Sequence, residues 1–184
     1  MDRLLFIWIN GMAGQLPWLD SLMVALGRSV APVVLPLCAA LWWWPGPTRH
    51  ERRIGVSLTV LAVLLALGAA SVAGFIYYRP RPFKVIDTLL LVPRVPDASF
   101  PSTHTAVLSA VATVVPLPGR PWRAAVWLLV AGVMIGRVYV GVHYPSDVLG
   151  GLAFGWATGA AVWGNRDVLR AFAERVVGAV EECF

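Results

Sequence analysis

The sequence predicts an all-α protein: a polytopic membrane bundle of about five to six helices, with its active site at one membrane face. Three observations lead there. Of 184 residues, 58% are hydrophobic and 14% charged, and the mean hydropathy is +0.71, far from a water-soluble average. Ile54 to Tyr78 is an uncharged run of 25 residues, enough at about 1.5 Å per residue to cross a hydrocarbon core of roughly 30 Å. The chemically versatile side chains, finally, gather at the ends of such segments.

Residues 1–16 carry Leu4, Leu5, Phe6, Trp8 and Ile9 with little charge, which suits a helix lying in the membrane interface. The first crossing runs from Ser21 to Trp44 and ends in Trp42-Trp43-Trp44, an aromatic cluster expected at headgroup level. Pro45-Gly46-Pro47 breaks the helix, and Ile54 to Tyr78 returns. Arg79 to Phe100 is polar, Pro-rich and long for a loop, as functional loops are. A short helix from Ser102 to Val115 stops before Pro116 and Pro118. Ala124 to about Val140 crosses again, and Pro145 opens a helix that runs to Gly164. Gly151, Gly155 and Gly159 line one stripe of that helix, permitting close approach within the bundle or across a dimer seam. The chain thus reads as one domain, 1–184, with the bundle in 21–164 and a cytoplasmic tail in 165–184.

The formal charge of +5 and pI near 9.9 do not indicate nucleic acid, because the basic residues are scattered at segment ends instead of forming one stripe. Counting crossings puts Arg49, Arg52, Arg53, Arg120, Arg123, Arg166, Arg170 and Arg175 on one face. The positive-inside rule makes that face cytoplasmic, so the opposite face, which also carries Arg3, Lys84 and Arg94, looks outward. Cys38 and Cys183 have neither metal-ligand spacing nor a disulfide framework. Asp2 before Arg3 and the short apolar stretch Leu4–Ile9 make a poor signal peptide, leaving insertion to the spans.

Three clusters share the outward face: Arg79-Pro80-Arg81-Pro82, Pro101-Ser102-Thr103-His104, and Arg137 with His143 and Asp147. Together they hold what in-line phosphoryl transfer requires. Pro145 holds Tyr144 out of helical geometry and starts the helix, which leaves His143 just outside and Asp147 in the first turn. Asp147 can then reach back to one imidazole nitrogen and fix the tautomer, freeing the other to attack phosphorus. A capping Asp beside an interfacial His would show the same spacing. Arg137 ends an apolar run, where an arginine is costly unless it pairs or lines a site. Arg81, with Arg79 beside it, offers a planar fork for phosphate oxygens. Ser102 is placed to cap a helix whose Thr103 and His104 amides lack intrahelical partners, an anion site, and His104 can protonate a leaving oxygen and then activate water. His50, among Arg49, Glu51 and Arg52, is expected in solvent. No His, Asp and Glu set has zincin or EF-hand spacing, which points to a phosphohistidine route with no metal and no cofactor.

These clusters resemble the type-2 phosphatidic acid phosphatase superfamily, whose signature is Lys, six residues, Arg-Pro; Pro-Ser-Gly-His; and Ser-Arg, five residues, His, three residues, Asp. Within it, Arg81-Pro82-Phe83, Asp97 to Ser102 and His143-Tyr144-Pro145 look like the bacterial undecaprenyl-diphosphatases of the bacitracin-resistance type. The likeness extends from Pro17 to about Gly164. It implies that His143 is the nucleophile, Asp147 its partner and His104 the acid, with Arg81, Arg137 and the Ser102–His104 turn as the phosphate cradle. Gly74, Thr103 and Gly136 depart from the signature. Gly74 stands where the Lys is expected, and Arg79, Lys84 or Arg28 are the candidates to replace its charge, unless prenyl-diphosphate members of this type dispense with it. The implied activity is removal of the terminal phosphate from a polyprenyl diphosphate, recycling the carrier lipid for cell-wall synthesis. Alternatives are a phosphatase acting on phosphatidate, phosphatidylglycerophosphate or another prenyl phosphate, and a non-catalytic carrier of lipid headgroups.

Overall fold

The computed structural model describes residues 1–28, 30–94 and 97–182, the side chain of Ala31 excepted. Cys183 lies outside them. Among the described residues every regular element is a helix: α1 (Asp2–Asn10), α2 (Pro17–Arg28), α3 (Val30–Trp43), α4 (Arg49–Ile76), α5 (Pro82–Val85), α6 (Thr103–Val114), α7 (Arg120–Tyr139), α8 (Pro145–Gly164) and α9 (Arg166–Glu181).

The nine helices exceed the expected five to six for three physical reasons. The segment read as the first crossing is two helices, since Pro17–Arg28 and Pro32–Trp43 meet at 57°. Pro32 has no N–H to give the Arg28 carbonyl, so the ladder breaks there. The loop from Arg79 to Phe100 folds the short α5 and is pinned by main-chain bonds, Ser99 N–H to Arg79 at 2.8 Å and Leu91 N–H to Val140 at 3.3 Å. The segment after α8 forms a further helix, α9, whose Ala173 and Val177 are buried in one cluster with Ile54 and Leu58 of α4. Arg53 ties this end together by donating to the Trp42 carbonyl at 3.2 Å, pairing with Glu181 and lying 5.2 Å over the Trp42 ring.

Two helices among the described residues, α4 and α7, are each long and apolar enough to cross a membrane, and α2 with α3 makes a third if the bent pair is one span. The expected crossing by α8 has the length, 20 residues, but α8 is not among the described helices apolar enough to cross, and five of its residues are glycines. They serve packing instead. A Cβ on Gly151 or Gly155 would collide with the carbonyls of Ser102 and Ala106, and one on Gly159 would lie 2.7 Å from Thr113. The glycine stripe therefore seats α8 on α6 within the chain, and Ser109 Oγ completes the seam by donating to the Leu152 carbonyl at 2.9 Å.

This close seam runs parallel, Gly151, Gly155 and Gly159 meeting Ser102, Ala106 and Thr113 in turn, so the start of α6, the start of α8, the end of α7 and the segment after α4 converge at one end of the bundle. The Arg53–Trp42–Glu181 contacts and the approach of Gly55 to Pro116 mark the other. The three motif clusters share one end, as crossing counts predict. Helix α1 is docked over that end: buried Phe6 packs on Tyr144 with ring centroids 5.5 Å apart, and the Asn10 amide donates to the Leu89 and Tyr139 carbonyls at 2.9 and 2.8 Å. Leu4, Leu5 and Trp8 stay exposed on its other side.

Placing a side chain on the stripe should break the α6–α8 seam, because overpacking against rigid backbone costs about 1–3 kcal/mol or more. Gly155→Val is expected to lower the thermal midpoint in detergent sharply or abolish folded expression. Gly164→Ala, where nothing lies within 4 Å of a built Cβ, should leave the midpoint unchanged.

Candidate active site

His143 lies in the turn between α7 and α8. Gly141 makes that turn at φ +88°, a left-handed conformation that other residues rarely adopt. Tyr144 then caps α8 in extended geometry, with Pro145 behind it. The imidazole is 1% exposed, and its Nδ1 is 2.8 Å from the Ser99 carbonyl. A carbonyl only accepts, so Nδ1 carries the proton and Nε2 keeps its lone pair. Nε2 faces two guanidiniums, Arg81 Nη1 at 3.4 Å and Arg137 Nη2 at 3.3 Å. Burial, then the positive charges of Arg137 and Arg81, hold the imidazole well below its ordinary pKa and so keep it neutral.

The direct bond expected between Asp147 and the imidazole is not what holds the ring. Asp147 Oδ2 is 3.9 Å from Nδ1, beyond hydrogen-bond range. The carboxylate is fully buried and satisfied elsewhere: Oδ1 accepts from Arg79 Nη1 at 2.7 Å, and Oδ2 accepts from Ser99 Oγ at 2.5 Å and the Tyr144 amide at 2.8 Å. Reaching its own cap amide turns Asp147 back along the helix, and Ser99 fills the gap. Its hydroxyl bonds the carboxylate while its carbonyl bonds the ring. Sequence reasoning missed Ser99; the one signal was a small polar residue just ahead of Phe100-Pro101-Ser102.

Arg81, 3% exposed, places Nε and Nη2 on Asp97 Oδ1 at 2.9 and 2.7 Å and Nη1 on the Val142 carbonyl at 3.1 Å. Arg137 gives Nη1 to the Gly27 carbonyl at 2.9 Å, while its buried Nε has no hydrogen-bond partner among the described residues. The Gly27 contact needs α2 close to α7, and Gly136 permits it: a Cβ there would meet the Met23 carbonyl at 3.1 Å and the Gly27 amide at 3.2 Å.

Ser102 occupies the N-cap of α6, but its side chain makes no cap bond; Oγ accepts from Thr105 Oγ1 at 3.2 Å. Its amide donates to the Asp147 carbonyl at 3.0 Å, locking the starts of α6 and α8 together. The first turn closes with the Ala106 amide on the Ser102 carbonyl, so the Thr103 and His104 amides have no intrahelical acceptor. His104, half-buried, lies within electrostatic reach of Arg137, Arg81, Asp97 and His143.

Arg79, expected beside Arg81 as a phosphate fork, points elsewhere. Its guanidinium bridges Asp147 and Asp2, the latter at 2.6 Å, and lies 4.0 Å over the Tyr144 ring. Lys84 is exposed and donates to the Tyr78 hydroxyl at 3.3 Å. Arg28 is exposed at the end of α2, one residue beyond the carbonyl that receives Arg137. At Gly74 a Cβ would lie 3.2 Å from the Phe100 carbonyl and 3.6 Å from Ala98, so the loop packs closely over this position. Chemically, the site offers a neutral imidazole whose free nitrogen faces two guanidiniums, beside a helix start with unpaired amides, a setting suited to a phosphoryl group in transfer.

Residues 55–170 match the sequence pattern of the PAP2 superfamily. The undecaprenyl-diphosphatase BcrC of Bacillus subtilis is 30% identical, over 98% of this chain and 92% of its own length. The putative undecaprenyl-diphosphatase YbjG of Escherichia coli is 32% identical over 82% of this chain and 75% of its own. The crystal structure of Aquifex aeolicus LpxE superposes with a TM-score of 0.77 at 27% identity, covering 89% of this chain and 94% of that one.

The His143 geometry predicts a titration. A depressed pKa keeps the neutral form as pH falls, so histidine-selective nitrogen NMR of the protein in detergent should show His143 as the neutral Nδ1–H tautomer below pH of about 6.5, the ordinary imidazole value. A protonated ring at that pH would contradict the lowered pKa, and the other tautomer would contradict the Ser99 bond.

Proposed function

The chain belongs to the PAP2 superfamily, and from that membership we propose that it is a membrane lipid phosphatase that removes the terminal phosphate of a polyprenyl diphosphate, undecaprenyl diphosphate foremost. One observation carries the reading: His143 Nε2, deprotonated because Nδ1 donates to Ser99, faces Arg81 and Arg137. The whole chain, 1–184, acts as one integral membrane domain.

In the proposed mechanism, Arg81, Arg137 and the Thr103 and His104 amides hold the terminal phosphate oxygens. The unpartnered Nε of Arg137 is one donor that such an oxygen would satisfy. Nε2 of His143 attacks phosphorus, forming the N–P bond as the bridging P–O bond breaks. His104 gives its proton to the departing oxygen of the lipid monophosphate. It then takes a proton from water, whose oxygen attacks phosphorus, breaks the N–P bond and releases inorganic phosphate. Asp147, acting through Ser99, keeps the ring in the reactive tautomer. The guanidiniums and helix-end amides supply the stabilisation that metal ions give in other phosphoryl transfers.

The site opens outward in this reading. Arg49, Arg52, Arg53, Arg120, Arg123, Arg166, Arg170 and Arg175 lie toward the opposite end, which supports a cytoplasmic assignment for that end. The product is then a carrier lipid monophosphate returned to cell-wall synthesis.

Phosphate release by purified protein tests the substrate. Undecaprenyl diphosphate should give the highest kcat/KM in a panel with undecaprenyl phosphate, phosphatidate and phosphatidylglycerophosphate, unchanged by chelator; activity confined to a glycerolipid would overturn the proposal. His143→Ala should lose roughly three orders of magnitude or more in kcat. For orientation, in a background lacking Cys38 and Cys183, Asp87→Cys should react with an impermeant maleimide on intact cells and His50→Cys only in inverted vesicles.

A further inference from the structure

Asp2 lies on the helix farthest in sequence from the catalytic clusters, and its carboxylate is built into their support. Oδ1 accepts from the Ser146 amide at 3.0 Å, and Oδ2 accepts from Ser146 Oγ at 2.6 Å and Arg79 Nη2 at 2.6 Å. The other end of that guanidinium, Nη1, holds Ser146 Oγ at 2.6 Å and Asp147 Oδ1 at 2.7 Å. Arg79 therefore sits between two carboxylates, stacked on Tyr144, and cannot rotate toward either without abandoning the other. From Asp147 the chain of bonds continues through Ser99 Oγ and the Ser99 carbonyl to His143 Nδ1.

We propose that Asp2 is a positioning residue for phosphoryl transfer: by clamping Arg79 it fixes the Asp147 carboxylate, and through Ser99 it fixes the His143 ring. Helix α1 is then a working part of the site. Phe6 and Asn10 anchor it to Tyr144, Tyr139 and Leu89, and the exposed Leu4, Leu5 and Trp8 suit insertion into the lipid interface. Seating α1 in lipid thus holds Asp2 against Arg79.

A simpler role for Asp2 is to cap the α8 N-terminus through the Ser146 amide. Asp2→Asn separates the two roles, since an amide oxygen can still accept from Ser146 but carries no charge to hold Arg79. The inference rests on the phosphatase reading, and the experiment keeps the two apart. Steady-state kinetics on undecaprenyl diphosphate would be measured for the unaltered protein, Asp2→Asn, Arg79→Gln and the double variant, each with its thermal midpoint in detergent.

Small misplacement of a reacting group costs up to about a hundredfold in rate. Asp2→Asn is accordingly expected to lower kcat about tenfold, with KM within about twofold and the midpoint unchanged, and to add nothing on the Arg79→Gln background. Unaltered kcat in Asp2→Asn, a loss that tracks a fall in midpoint, or full additivity with Arg79→Gln would overturn the inference and leave the phosphatase reading intact. Absence of activity in the unaltered protein would instead count against that reading.

Discussion

The rest of this molecule is organised around one buried negative charge. The Asp147 carboxylate has no exposed surface, and a charge out of water is tolerated only when it is paired and hydrogen-bonded. Its partners come from the segment after α4 (Arg79), the loop before α6 (Ser99) and the cap of its own helix (Tyr144). Its main-chain carbonyl takes the amide that starts α6. Three clusters separated by dozens of residues thus meet because one carboxylate needs all of them. The α6–α8 glycine seam supplies the close approach that makes the meeting possible.

Much of this was legible in the sequence, and the reasons are physical. The crossing read at Ile54 to Tyr78 is α4, that at Ala124 to Val140 is the apolar part of α7, and the Pro145–Gly164 boundaries of α8 coincide with those expected. Long apolar runs and prolines are local signals, independent of what packs against them. His143, His104, Arg81 and Arg137 stood out because polar groups at span ends are costly unless used, and the structure brings all four together. Side-chain direction was not legible. Arg79 and Arg81 are equivalent on paper, yet one turns to Asp147 and Asp2 and the other toward His143, a choice made by distant carboxylates. Ser99 escaped notice because half of its contribution is a main-chain carbonyl. The docking of α1 and α9 was likewise missed, since each amphipathic segment could as well have met lipid or water as the bundle.

Two departures from the superfamily signature have structural counterparts. Where a Lys is expected, Gly74 lies under the loop that carries Ser99, a built Cβ being 3.2 Å from the Phe100 carbonyl. Where a Ser is expected, Gly136 lets α2 reach α7 and present the Gly27 carbonyl to Arg137. Nothing in the structure explains Thr103.

The proposed chemistry passes through a covalent bond between His143 and phosphorus. Rapid quenching of the purified protein with polyprenyl diphosphate labelled in its terminal phosphate tests this most directly. An acid-labile label on residue 143 is expected to appear before inorganic phosphate and to be absent from His143→Ala. Full turnover with no label on the protein at any time, or undiminished turnover by His143→Ala, would contradict it.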